Sequence, residues 1–84
     1  MADQLQLEVV TPERRVMSEA VSSVTVPGRA GEMQILPGHA ALLSELGEGD
    51  LSYVVGAKTE SFKISGGFVE VRDNHVRVLA DKMA

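Results

Sequence analysis

The chain has 84 residues, 44% hydrophobic and 24% charged, with a formal net charge of −4 and no cysteine. That length suits one domain, which buries only about 60% of the surface its unfolded chain exposes, and the composition is that of a globular chain rather than a disordered one. Disulfides, thiolate chemistry and iron–sulfur ligation are excluded; no apolar run approaches the roughly 20 residues of a membrane-crossing helix, and the dispersed basic residues supply no nucleic-acid footprint.

Leu5, Leu7 and Val9 alternate with Gln4, Gln6 and Glu8, a period of two that gives a strand one apolar and one polar face. The opening MADQLQLEVV lacks the basic region and long apolar core of a secretory signal, so a cytosolic or matrix-like compartment is expected. Thr11-Pro12 closes the strand, because proline removes a ladder donor. Val16 to Ala20 reads as a short edge strand. Val21 to Val26 reads as the next, with Val24 and Val26 on one face, Ser23 and Thr25 on the other, and Pro27-Gly28 at its end. Met33 to Leu36 follows Gly31 and stops at Pro37-Gly38. His39 to Leu46 would tolerate a helix on propensity. Its brevity, between Pro37-Gly38 and Gly47-Glu48-Gly49, favours an extended segment.

Leu51 to Val55 is a strand, Gly56 to Thr59 its turn, and Glu60 to Ser65 its antiparallel return with Phe62 and Ile64 inward. Gly66-Gly67 permits a bend or bulge. Val69 to Arg72, the turn Asp73-Asn74 and His75 to Leu79 form a hairpin, since both turn residues tolerate positive φ. Its register sets Arg72 against His75, Val71 against Val76, Glu70 against Arg77 and Val69 against Val78. The expected core is Leu5, Leu7, Val9, Val24, Val26, Ile35, Leu43, Leu51, Tyr53, Val55, Phe62, Ile64, Val69, Val71, Val76 and Val78. Many short strands between glycine and proline turns, without a long helix to cover a sheet, predict an all-β antiparallel sandwich or flattened barrel, one domain over residues 1–84.

No residue is assigned a catalytic, cofactor-binding or metal-ligating role. His39 and His75 lack the spacing of a metal motif, and no oxygen-rich calcium loop occurs. Gly56-Ala57-Lys58-Thr59 matches only the last letters of a phosphate loop and reads as a turn. Ser44, Ser61 and Ser65 have no patterned histidine and acid, and Glu48 and Asp50 flank a glycine turn that explains them. The central segment from Gly31 to Leu43 is more informative. It sets a stiff Pro-Gly corner among many apolar residues, which suits either an ordinary core strand or an exposed docking edge.

The sequence resembles the N-terminal β-sandwich domain of the epsilon subunit of bacterial F-type ATP synthase, the subunit called delta in mitochondria. The resemblance rests on Val24-Thr25-Val26-Pro27-Gly28, on Gly31-Glu32-Met33-Gln34-Ile35-Leu36-Pro37-Gly38-His39-Ala40-Ala41-Leu42-Leu43, on Ser65-Gly66-Gly67-Phe68-Val69-Glu70-Val71, and on Val76-Arg77-Val78-Leu79-Ala80-Asp81. It implies a ten-stranded sandwich at the foot of the central stalk, bound to the gamma subunit and to the c subunits of the membrane rotor ring. The implied role is coupling of ion flow to ATP synthesis, without catalysis, cofactor or membrane insertion, on the cytoplasmic face of the bacterial plasma membrane. By the same resemblance Glu32 takes the acidic position of a loop near the ring and His39 the histidine of a PGHA corner. The implied rotor-ring interface is therefore Glu32, Met33, Gln34, Pro37, Gly38 and His39. Gln34 stands where the family often has glycine.

Family members usually continue past the LAD motif into a two-helix domain that restrains ATP hydrolysis and, in some, binds ATP. The expectation here is a naturally short or truncated subunit, with residues 82–84 a flexible or truncated end and no helix-mediated inhibition. The competing expectation is a free-standing β-sandwich adaptor or small-ligand-binding module.

Overall fold

The computed structural model describes residues 4–83. Seven strands follow one another among them: β1 Leu5–Val10, β2 Arg15–Val21, β3 Ser23–Gly28, β4 Gly31–Ile35, β5 Leu42–Val55, β6 Lys58–Arg72 and β7 His75–Met83. β1 carries out the period-two pattern of its sequence, burying Leu5, Leu7 and Val9 and leaving Gln6 and Glu8 at the surface. The hairpin register is the expected one, Arg72 against His75 through Val69 against Val78. Asp73 and Asn74 take φ of 50° and 61°, the backbone that a two-residue turn matching the right-handed strand twist requires.

All seven strands belong to one sheet in the order β2-β1-β7-β6-β5-β3-β4. The expectation of a purely antiparallel arrangement is corrected by one pair. β1 and β7, the first and last strands, run parallel from Gln6↔His75 to Val10↔Leu79. Alternation in a sequence says which side chains share a face, but it is silent on which strand lies beside which.

The expected count of ten is corrected as well, because segments that glycines separate in the sequence are continuous here. Leu42–Val55 and Lys58–Arg72 are single strands of 14 and 15 residues, paired from Leu42↔Val71 to Val55↔Lys58. The glycines mark a line across these strands instead of breaks between them. Pairing passes over Gly47 and Gly66 between β5 and β6, and over Gly66 and Asp81 between β6 and β7, while the register on both sides stays the same. Buried side chains change parity across this row. In β5 Leu46 is buried before it and Leu51 after it; in β6 Ile64 is buried before it and Val69 and Val71 after it. One residue outside the extended conformation exchanges a strand's two faces, and Gly66 (φ 72°) with Gly67 (φ 123°) supplies that conformation.

Side chains from both sides of the row join one apolar cluster. Leu43, expected inside, is 70% exposed, because Leu42 and Leu46 carry the inward parity of that half of β5. Tyr53, Val55 and Phe62 pack against the cluster at its margin, only partly buried, with the Tyr53 and Phe62 rings edge to face at 6.2 Å. Val21, Leu46 and Ala80 complete the core beyond the expected set. Lys82 and Met83 belong to β7, and Ala84 lies outside the described residues.

Candidate interaction surface

The outward faces of β5, β6, β7, β1 and β2 line up side chains in rows. One row is Glu45, Phe68, Leu79, Val10 and Arg15, each opposite the next across a strand pair. Its middle is apolar: Phe68 is 46% exposed and Leu79 45%, and with Val10, Thr11 and Pro12 they line a shallow groove of about 300 Å³. The neighbouring row is Leu43, Glu70, Arg77, Glu8 and Ser18. Here Glu8 accepts from Arg77 Nε and pairs with Arg15 Nε, both at 3.1 Å. The expected Glu70–Arg77 neighbours are in register, yet the Arg77 guanidinium turns across β7 to Glu8. Both arginines remain largely exposed, so these pairs orient side chains more than they stabilise the fold.

A second surface runs along β4, an edge strand paired only with β3 among the described residues. Glu32 and Gln34 point to solvent from it, opposite Pro27 and Thr25. Met33 points the other way, partly buried against the core and opposite Val26. Beyond Ile35, which is fully buried, the chain turns at Leu36, Pro37, Gly38 and His39. The His39 N–H donates to the Leu36 carbonyl at 3.1 Å, and Gly38 adopts φ 86°. The Gly38 N–H donates to Asn74 Oδ1 at 2.7 Å, joining the corner to the β6–β7 turn. The six residues Glu32, Met33, Gln34, Pro37, Gly38 and His39, all within eight positions of the sequence, are thus split in space. Glu32 sits near the β3–β4 turn, and the corner lies beyond the far end of β4, about 13 Å along an extended chain from Glu32 to Leu36.

Sequence reasoning missed the apolar row, although its signal was present. Extending the hairpin register by one pair past Val69 and Val78 sets Phe68 against Leu79 on the face otherwise occupied by Glu70 and Arg77. Leu36, 49% exposed beside the corner, belongs to the Gly31 to Leu43 segment for which the sequence allows an exposed docking edge. Among the described residues no group of three or more histidine, cysteine or acidic side chains is placed to hold a metal. Burial, followed by the charges of Glu19 and Glu60, raises the Tyr53 phenol above its ordinary value.

Residues 4–84 match the family model described as the ATP synthase delta/epsilon chain, β-sandwich domain. The chain is 52% identical over 81 residues to the ATP synthase epsilon chain of Solibacter usitatus and 54% identical over 81 residues to that of Carboxydothermus hydrogenoformans. These matches take in 96% of this chain and 60% of each relative, so the chain spans less than two thirds of their length. Among solved structures, it is similar to a chain of the Euglena gracilis mitochondrial ATP synthase, in a cryo-EM structure of OSCP, F1 and c-ring. The TM-score is 0.92 and the identity 28%, over 100% of this chain and 54% of that one. A chain of the Tetrahymena thermophila mitochondrial ATP synthase central stalk and c-ring shares the fold, with a TM-score of 0.80 and 21% identity over 95% of this chain and 65% of that one.

Proposed function

Because this chain belongs to the ATP synthase delta/epsilon family, as its β-sandwich domain, we propose that it is a non-catalytic part of the central stalk. In this reading it links the gamma subunit to the c subunits of the membrane rotor ring and supports the coupling of ion translocation to ATP synthesis. It is a peripheral subunit on the cytoplasmic face of a bacterial plasma membrane. A rotor part transmits torque through shape and preorganised contacts, and long cross-bonded strands suit that demand.

The observation that carries the reading is the exposed row Phe68, Leu79 and Val10, on a chain that matches the family throughout its described length. Burial of such a row supplies association energy, and the charged ladder beside it, Glu70, Arg77, Glu8 and Arg15, sets orientation. We assign the row to the gamma subunit. The β4 edge and the corner are assigned to the polar loops of the rotor ring, with Glu32, Gln34, Pro37, Gly38 and His39 in contact and Met33 supporting the edge from the core side. We also propose that the sheet closes as a two-layered sandwich, β5 and β6 contributing to both layers across the row of Gly47, Gly66 and Asp81. The single cluster fed from both sides of that row supports this arrangement.

The test is reconstitution. Added to a stalk complex that lacks its counterpart, the chain is expected to bind and to restore ion-coupled synthesis. Phe68→Ser is expected to leave the melting temperature within about 4 °C of the parent and to weaken gamma binding by about tenfold or more, as loss of an aromatic anchor does. Unchanged affinity in both Phe68→Ser and Leu79→Ser would move gamma docking off this row.

A further inference from the structure

The turn between β6 and β7 needs two residues at positive φ, and Asp73 and Asn74 meet that need. Glycine at the second position would meet it with less strain, so the backbone alone gives no reason for asparagine there. Asn74 does more than turn the chain. Its carbonyl accepts the Gln6 N–H at 2.8 Å, holding the start of β1, and its side-chain Oδ1 accepts the Gly38 N–H at 2.7 Å from 36 positions away.

The connection from Leu36 to Ala41 has little else to hold it. Its other hydrogen bonds are local, His39 N–H to the Leu36 carbonyl at 3.1 Å and the His39 ring Nδ1 to the Ala40 carbonyl at 2.7 Å. Among the described residues, the Asn74 bond is the one side-chain hydrogen bond that ties this connection to another element. A Cβ at Gly38 would meet nothing within 4 Å, so no close neighbour on that side holds its φ of 86°. A glycine free of steric restraint samples many backbone states, and one strong acceptor in fixed position picks among them.

We infer that Asn74 is a positioning residue, whose side chain preorganises the Pro37-Gly38-His39 corner in the shape that its partner reads. The inference rests on the assignment of that corner to the rotor ring. A corner held before contact loses less conformational entropy on binding than one that must be ordered by the partner. The hairpin turn, remote in sequence from the corner, thereby sets the affinity of a surface that it does not itself form.

Two substitutions separate the turn from the clasp. Asn74→Gly keeps a residue suited to positive φ and removes the acceptor; Asn74→Asp keeps an acceptor oxygen at the same place. In the Gly variant the Gly38 amide is expected to exchange with solvent about five- to tenfold faster, with the melting temperature nearly unchanged. Its affinity for an assembly of gamma subunit and rotor ring is expected to fall about three- to tenfold, and the Asp variant is expected to recover both quantities in large part. Unchanged Gly38 exchange in Asn74→Gly would overturn the clasp, and faster exchange with unchanged affinity would overturn its role in partner binding. Failure of the parent chain to bind the assembly would overturn the stalk assignment and the partner role together, while the exchange measurement would still decide the clasp.

Discussion

Replacing Gly67 with alanine is expected to destabilise the fold by about 3 kcal/mol or more, read from the midpoint of a denaturant titration. Two effects add. The residue holds φ 123°, a conformation that L side chains rarely adopt, and a Cβ there would meet the carbonyl oxygen of Leu79 on the adjacent strand. Relief requires β7 to move, and β7 at that point is held by the pairs Gly67↔Ala80 and Phe68↔Leu79. A domain of this length has a total stability of about 4–13 kcal/mol, so the loss is a large part of the whole. Gly56 provides the control. It too has positive φ (61°), but a Cβ there meets nothing within 4 Å, and Gly56→Ala is expected to cost only about 1–2 kcal/mol. Equal losses in the two variants would show that the close approach of β6 to β7 contributes nothing.

Two leucines three positions apart on β5 should differ by as much. Leu46 is 4% exposed and Leu43 is 70% exposed. Truncating Leu46 to alanine is expected to cost about 2–5 kcal/mol, from lost burial plus the cavity left behind. Leu43→Ala is expected to change stability by about 0.5 kcal/mol or less. Thermal or chemical melts of the two variants decide the matter. A loss at Leu43 matching that at Leu46 would reverse the orientation of the first half of the strand.

These two sites also mark the limit of periodicity as a guide. In the His39 to Leu46 segment, apolar residues occur at 40, 41, 42, 43 and 46, so the sequence there has no clean alternation from which to choose a parity. The choice follows from pairing with β6, where Leu42 stands opposite Val71 and Ser44 opposite Val69, both valines buried. Cross-strand partners share a face, and the better-patterned strand imposes its parity on the weaker one. The glycines were read in the same local way. Gly47 and Gly49 look like a turn along the chain and Gly66-Gly67 like a bend or bulge, whereas in space Gly47 and Gly66 belong to one row that crosses three paired strands.

The candidate surfaces were legible in unequal parts. The Pro37-Gly38 corner stood out through its stiffness and its apolar neighbours, and Glu32 and Gln34 are on the exposed side of β4. Met33 is on the other side, as a period of two demands of the residue between them. Asn74 gave no sign beyond its fitness for a turn, since its bond to Gly38 spans 36 positions.

Local pattern alone specifies that the chain is β-rich, that β1, β3 and the first part of β7 bury alternate valines and leucines, and that Asp73-Asn74 closes a hairpin in one register. All of these follow from interactions between residues close in the chain, which side-chain period and turn chemistry encode directly. It takes the packed molecule to set β1 parallel to β7, to run β5 and β6 unbroken across the glycine row, to turn Leu43 to solvent, and to bring Phe68, Leu79 and Val10 together on one outer face. Those outcomes depend on which strands become neighbours, a choice made by the packing of the whole chain around one core and written in no local stretch of it.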